Sequence, residues 1–145
     1  MRWNVRVDFD GTISDRDTTD FVLENFASPE WEEVEKLWKD GHIGSAECMG
    51  RQADLISATP EDIGLLLEEV HIDPHFVEFI KFCEHWNTPV SILSDGYDFN
   101  IHTILKRYGL DDMEVIANHL EYSGDNKFKF SSVHAHPDCA SKSGT

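Results

Sequence analysis

The chain has 145 residues, enough for one domain of ordinary size that buries a core. Its 12 Lys and Arg against 28 Asp and Glu give a formal charge of −16, which opposes nonspecific association with nucleic acid or an anionic membrane surface. No run approaches the ~20 apolar residues that span a bilayer, and Met1-Arg2-Trp3-Asn4 lacks the apolar core of a signal peptide. Cys48, Cys83 and Cys139 are odd in number, widely spaced and free of any CxxC pair, so reduced thiols in a cytoplasmic protein are expected.

Along the chain, Val5, Val7 and Phe9 alternate with Asn4, Arg6 and Asp8, a period of two that predicts a strand over residues 5–9. Arg6 departs from the unbroken apolar run of a central parallel strand. The strand runs out at Asp8-Phe9-Asp10-Gly11-Thr12, two carboxylates separated by one apolar residue. Alternate strand residues share a face, so Asp8 and Asp10 can point together, and past the strand end Asp10 can also offer its backbone carbonyl.

From about residue 17 to 85 the pattern is helical, with start signals at Ser28-Pro29-Glu30, Ser45-Ala46-Glu47, Thr59-Pro60-Glu61-Asp62 and Asp73-Pro74. Leu65, Leu66, Leu67 and Val70 follow the third start, and Phe76, Val77, Phe79, Ile80 and Cys83 the fourth, at spacings that make apolar core stripes. Pro89-Val90-Ser91-Ile92-Leu93 predicts a second strand that stops at the polar turn Ser94-Asp95-Gly96. A helix over residues 99–108 ends at Gly109, residues 114–117 predict a third strand, and residues 119–123 and 127–130 flank Gly124-Asp125-Asn126 as a β-hairpin. This alternation predicts an α/β fold with a parallel sheet, whose ligands sit beyond the carboxyl ends of the strands, where both polar turns fall.

A carboxylate at a strand end can attack phosphorus if a cation and backbone donors neutralise the phosphoryl oxygens. Asp8 is assigned as that nucleophile. Asp10 is assigned as the acid that protonates the leaving oxygen and the base that then deprotonates water. Magnesium suits the pair, with Asp8 supplying a side-chain oxygen and Asp10 its carbonyl. The Ser94 hydroxyl and the backbone N–H groups of Ser94, Asp95 and Gly96 offer a phosphate cradle. Taken alone, the first turn is also the pattern of an Asx surface turn. A calcium-binding EF-hand loop is excluded, because Gly11 stands fourth from Asp8 where that loop needs glycine sixth.

Together, Asp8-Phe9-Asp10-Gly11-Thr12 and Ile92-Leu93-Ser94-Asp95-Gly96, separated by a helical insert, resemble the first and second motifs of the haloacid dehalogenase-like phosphatases. The resemblance implies Asp8 as catalytic aspartate, Asp10 as acid/base, Ser94 as phosphate ligand and Mg2+ as cofactor. The insert and hairpin are similar to the phosphoserine-phosphatase-like branch, and DFDGTIS followed by Asp17-Thr18-Thr19-Asp20 resembles the methylthiopentenyl-phosphate phosphatases of methionine salvage. It implies a Rossmann-like core over residues 1–16 and 86–145, with residues 17–85 as a helical cap inserted between the first two strands. Cys48-Met49-Gly50-Arg51-Gln52 is similar to a stretch in which an arginine faces the site, so Arg51 is a candidate substrate contact, against the reading of an exposed helix arginine.

The family completes its site with a third-motif lysine and a later strand ending in paired acids, and no acidic strand end follows residue 117. The tail from His136 resembles the approach to that lysine, so the expectation is an incomplete sheet in a C-terminally truncated chain. Lys142 is read either as a stand-in for the lysine or as a solvated surface residue. His134, His136, Asp138 and Cys139 are read either as a transition-metal cluster or as an unstructured tail. The expected function is magnesium-dependent hydrolysis of a small phosphorylated metabolite through an aspartyl-phosphate. The alternatives are a non-catalytic phosphate- or metal-binding protein on the same scaffold and a phosphotransferase, against which a base at Asp10 favours water as acceptor.

Overall fold

The computed structural model describes residues 2–139, and Lys142 lies outside them. Its elements run β1 (Val5–Val7), α1 (Thr18–Phe26), α2 (Trp31–Lys39), α3 (Ser45–Asp54), α4 (Pro60–Leu67), α5 (Phe76–His85), β2 (Val90–Tyr97), α6 (Asp98–Arg107), β3 (Glu114–Gly124) and β4 (Lys127–Ser131). The strands form one open sheet in the order β1-β2-β3-β4, parallel across β1/β2 and β2/β3 and antiparallel across β3/β4. The α/β class and the parallel pairing of the first three strands follow the sequence reading. Val7 pairs with Ile92, so the carboxyl ends of β1 and β2 lie side by side and carry both motifs to one edge of the sheet.

β1 is an edge strand among the described residues, which accounts for Arg6: its side chain is exposed in a three-residue strand and need not be apolar. Three element boundaries differ from expectation, the first being that β1 stops at Val7, short of the predicted residue 9, because the chain coils around the Phe9 carbonyl. Ser94-Asp95-Gly96 is not a turn after β2; the strand continues to Tyr97 with its register shifted between Leu93 and Tyr97. The predicted third strand and the first hairpin strand are one element, because Asn118 between them is no breaker. Its side chain is buried, donating to the Asp95 carbonyl at 2.7 Å and accepting from Ser132 Oγ at 2.9 Å. β3 therefore pairs with β2 through its first half and with β4 through its second. At the hairpin tip Asp125 and Asn126 both hold positive φ, 54° and 59°, as a two-residue loop of the I′ kind requires.

The helix signals act mostly as read. Thr59 closes a capping box with Asp62, accepting the Asp62 N–H at 3.1 Å while Asp62 accepts the Thr59 N–H at 2.9 Å. Ser45 opens α3 but Gly44 occupies its cap, and Asp73 bonds the His75 N–H one turn before α5 begins. Asp17 caps α1 through the Asp20 N–H at 2.9 Å.

One hydrophobic core joins the helical run to the sheet: Val22, Leu23, Ile56, Ile63 and Leu67 pack in the same cluster as Phe9, Ile92, Tyr97, Ile101, Ile104 and Leu120. Arg107 of α6 donates to the Leu67 and Val70 carbonyls and so ties down the end of α4. Tyr97 is fully buried and donates its hydroxyl to the Met49 carbonyl at 2.9 Å, fixing α3 to the end of β2. α3 also lies so close to β4 that a Cβ on Gly50 would meet the Phe130 ring at 3.2 Å. Among the described residues no helix is long and apolar enough to cross a membrane.

Candidate active site

The site starts from the loop after β1. Phe9 is fully buried, which contributes about 2–3 kcal/mol of transfer free energy and fixes the loop against the core. The Phe9 carbonyl accepts from Thr12 N (3.1 Å), Ile13 N (2.9 Å), Ser14 N (3.0 Å) and Ser14 Oγ (3.1 Å), so the chain coils tightly around it. Gly11 takes φ +72° in this coil, where a side chain would be strained. With Phe9 turned inward, Asp8 and Asp10 are left at the carboxyl edge of the sheet.

Asp8 is exposed, with one carboxylate oxygen accepting its neighbour's N–H, from Phe9 at 2.8 Å, and the other the Thr12 hydroxyl at 3.3 Å. Asp10 is more deeply set. Its Oδ1 accepts both the backbone N–H (2.8 Å) and the hydroxyl (2.7 Å) of Thr18, the first residue of α1. Burial pushes the Asp10 carboxyl up to about 6; the two Thr18 bonds oppose this, and the charges of Asp17 and Asp8 add to it.

From β2, Ser94 is buried, and its Oγ accepts the Gly96 N–H at 3.0 Å, leaving the hydroxyl proton to donate elsewhere. A Cβ on Gly96 would stand 2.5 Å from Asp10 Oδ2 and 3.3 Å from both Ser94 Oγ and Thr19 Oγ1. Glycine suits this position, since oxygens from β2, α1 and the acidic loop occupy the space a side chain would take. The Asp95 carbonyl is taken by Asn118, and its carboxyl is raised by partial burial and then by the Asp8 charge. The structure thus gathers Asp8, Asp10, Ser94, Asp95 and Gly96 into one site.

Arg51 is not brought there. It is exposed, pairs with Glu47 one turn back on α3, and does not line the cleft beside Asp10. That cleft, about 530 Å³ with its open mouth, runs from Asp10, Gly96 and Asp95 to Asp20, Glu35 and Trp38. Cys48 also lines it, but burial pushes its thiol up to about 12, so it is no rival nucleophile. Sequence reasoning missed Thr18, whose signal was its place beside the cap residue Asp17, and Asn100, which donates to the Thr18 carbonyl at 3.3 Å and steadies the start of α1.

The donor set suits a hard divalent cation. The Asp8 carboxylate is exposed, and the Asp10 backbone carbonyl, two residues on, is used by no hydrogen bond among the described residues. One or two protein oxygens, completed by water and phosphate, is a set that magnesium accepts. No three His, Cys, Asp or Glu side chains among the described residues converge as a metal site, so His134, His136, Asp138 and Cys139 do not form the transition-metal cluster considered above.

Two outcomes test this geometry. Gly96→Ala forces the Asp10 carboxylate or the β2 backbone to move and is expected to cost about 1–3 kcal/mol in urea denaturation; an unchanged midpoint would contradict the close approach. Asp10 carries a folded-state value raised from 3.8 to about 6, so its charge weakens the fold as pH rises through that interval and holds the full penalty above it. With divalent cations chelated, Asp10→Asn should therefore gain about 2–3 kcal/mol at pH 8 and little at pH 4. An equal effect at both pH values would count against a desolvated carboxylate.

The comparisons agree with the motifs. The family model described as haloacid dehalogenase-like hydrolase matches residues 5–143. Proteins named 2-hydroxy-3-keto-5-methylthiopentenyl-1-phosphate phosphatase are similar to the chain: that of Brevibacillus brevis is 32% identical over 120 residues, covering 81% of this chain and 54% of the relative. That of Bacillus thuringiensis is 33% identical over 128 residues, covering 86% and 58%. The chain spans about half the length of the curated relatives it matches. Among solved structures, a HAD family hydrolase of Salmonella enterica serovar Typhi superposes with TM-score 0.69 at 18% identity, covering 86% of this chain and 43% of that one. A phospho-aspartyl intermediate analogue of phosphoserine phosphatase superposes with TM-score 0.64 at 20% identity, covering 91% and 65%, a likeness of fold. With the two motifs, the sheet order and a family model spanning nearly all its length in agreement, the chain belongs to the haloacid dehalogenase-like hydrolases.

Proposed function

We propose that this chain carries the nucleophile and phosphate cradle of a phosphomonoester hydrolase that acts on a small phosphorylated metabolite, as the names of its relatives suggest. The observation that carries the reading is the convergence of Asp10 Oδ2 and Ser94 Oγ on the space a Gly96 side chain would fill, with the exposed Asp8 two residues before Asp10. Asp8 attacks phosphorus, forming a carboxyl–phosphate bond as the ester P–O bond breaks. Asp10 gives its proton to the departing alkoxide, a task suited to a carboxyl held up to about 6 by burial. Asp10 then accepts a proton from the water that attacks phosphorus and frees Asp8. Ser94, already accepting from Gly96 N, donates its hydroxyl proton to a phosphoryl oxygen, and the Asp95 and Gly96 backbone completes the cradle.

Asp8 and the Asp10 carbonyl would hold Mg2+, which when bound offsets the negative charge that phosphate and carboxylate bring together. Residues 17–85 act as the cap in this reading, since α1, α2 and α3 supply the cleft wall opposite β2. Arg51, engaged with Glu47 outside the cleft, is given no substrate contact. Three widely spaced cysteines with no CxxC pair fit a cytoplasmic site of action.

Hydrolysis of an aryl phosphate, followed by phosphate release with and without Mg2+, tests the proposal. Asp8→Asn should lower kcat by about 10³-fold or more, and chelation should abolish turnover. Activity unchanged by the substitution would overturn the role of Asp8, and saturable phosphate binding with no turnover would favour a non-catalytic binding protein.

A further inference from the structure

The pairing of β2 with β3 is interrupted between Leu93 and Tyr97, so Ser94, Asp95 and Gly96 have no paired residue on β3. A side chain stands in for the ladder there: Asn118 of β3 donates from Nδ2 to the Asp95 carbonyl at 2.7 Å. The Asn118 side chain is buried, and both ends of its amide are committed. Nδ2 also reaches the Met49 sulfur at 3.4 Å, and Oδ1 accepts from Ser132 Oγ at 2.9 Å. Partner chemistry forces this orientation, because the reverse would set Oδ1 against the Asp95 carbonyl oxygen, two acceptors with no proton between them.

What that amide holds is the peptide joining Asp95 to Gly96. The peptide is planar and trans, so fixing its carbonyl on one side fixes its N–H on the other. That N–H donates to Ser94 Oγ at 3.0 Å. A serine hydroxyl has one proton, and no described residue receives that of Ser94. The bonds therefore run one way: the Ser132 hydroxyl to Asn118, Asn118 to the Asp95 carbonyl, the Gly96 N–H to Ser94, and the Ser94 proton outward. In such a run each group that accepts becomes a better donor, by about 10–30% per bond. An asparagine that only tied two strands together would satisfy its own groups without aiming a chain of donors at one hydroxyl.

We propose that Asn118 is a positioning residue for phosphate binding: through the Asp95–Gly96 peptide it keeps Ser94 Oγ an acceptor, so that the Ser94 hydroxyl turns its one proton, strengthened, to a phosphoryl oxygen. Ser132 orients the amide from behind. Met49 of α3, which lines the cleft and whose carbonyl accepts from Tyr97 at 2.9 Å, meets Nδ2 as well, so the helical insert touches the same relay. The inference rests on the reading of Ser94 as the phosphate ligand.

The test is calorimetric binding of n-propylphosphonate, which cannot be hydrolysed, to the whole chain with Mg2+, with the amide proton shifts of the same complex followed by NMR. Ser94→Ala should weaken binding at least about 10-fold. Asn118→Leu, similar in shape but without a donor, should weaken it about 5-fold or more, and Ser132→Ala about 2-fold. In the parent chain the Gly96 amide proton and the Asn118 Nδ2 protons should move downfield on saturation, and the Gly96 movement should shrink in Ser132→Ala. Unchanged affinity in Asn118→Leu, or Nδ2 protons that stay in place at saturation, would overturn the role of Asn118 while Ser94→Ala still weakens binding and upholds the phosphate reading. The Nδ2 measurement needs no substitution, so it decides the matter even where Asn118→Leu does not fold. Failure of the phosphate reading looks different: the parent chain binds no phosphonate, or Ser94→Ala binds it as tightly, and the relay then falls with it.

Discussion

A Cβ built on Gly96 would stand 2.5 Å from the Asp10 carboxylate, so the two leave no room between them for a methyl group. That contact joins the loop after β1 to the bulged end of β2, and the rest of the site depends on both sides of it being held. On one side the Phe9 carbonyl gathers four donors and anchors the loop, while Thr18 grips Asp10 with two hydrogen bonds. On the other, Ser94 accepts the Gly96 N–H, and Asn118 fixes the Asp95 carbonyl. Asn100 reaches from α6 to the Thr18 carbonyl, so the helix after β2 also braces the helix after β1.

This arrangement concentrates negative charge that the fold does not neutralise. Asp10, Asp20 and Asp95 are all raised, burial being the largest cause in each, and neighbouring carboxylates push the same way. Such a cluster weakens the folded state and stands ready for positive charge from outside it. A divalent cation held by Asp8 and the Asp10 carbonyl would relieve part of that charge. Stability given up at the site is recovered in the core, where Tyr97, Ile92 and Leu105 are fully buried beneath it.

Much of this was legible in the residues. The alternation of Val5 and Val7, the cap at Thr59 and the coil that follows Asp8 are local patterns, and local physics produced them. What escaped reading was tertiary. A Ser-Asp-Gly stretch looks like a turn, yet the pairing of Tyr97 with Asn118 and the Asn118 bond to the Asp95 carbonyl hold it as an irregular part of β2. Asn118 looks like a break between strands, yet its amide is consumed by Asp95 and Ser132. Arg51 sits at a suggestive place in the sequence, but the facing of α3 and its pairing with Glu47 keep it out of the cleft. The partners of Asp10 were invisible because Thr18 meets it only once α1 is docked.

The central claim is that Asp8 becomes phosphorylated during turnover. Rapid acid quenching of the protein with an excess of aryl phosphate and Mg2+, followed by peptide mass spectrometry, tests it directly. The account predicts one phosphate on the peptide containing Asp8, labile to hydroxylamine as an acyl phosphate is, and absent after Asp8→Asn. Turnover without a labelled Asp8 peptide under conditions that trap acyl phosphates, or a label that survives Asp8→Asn, would contradict it.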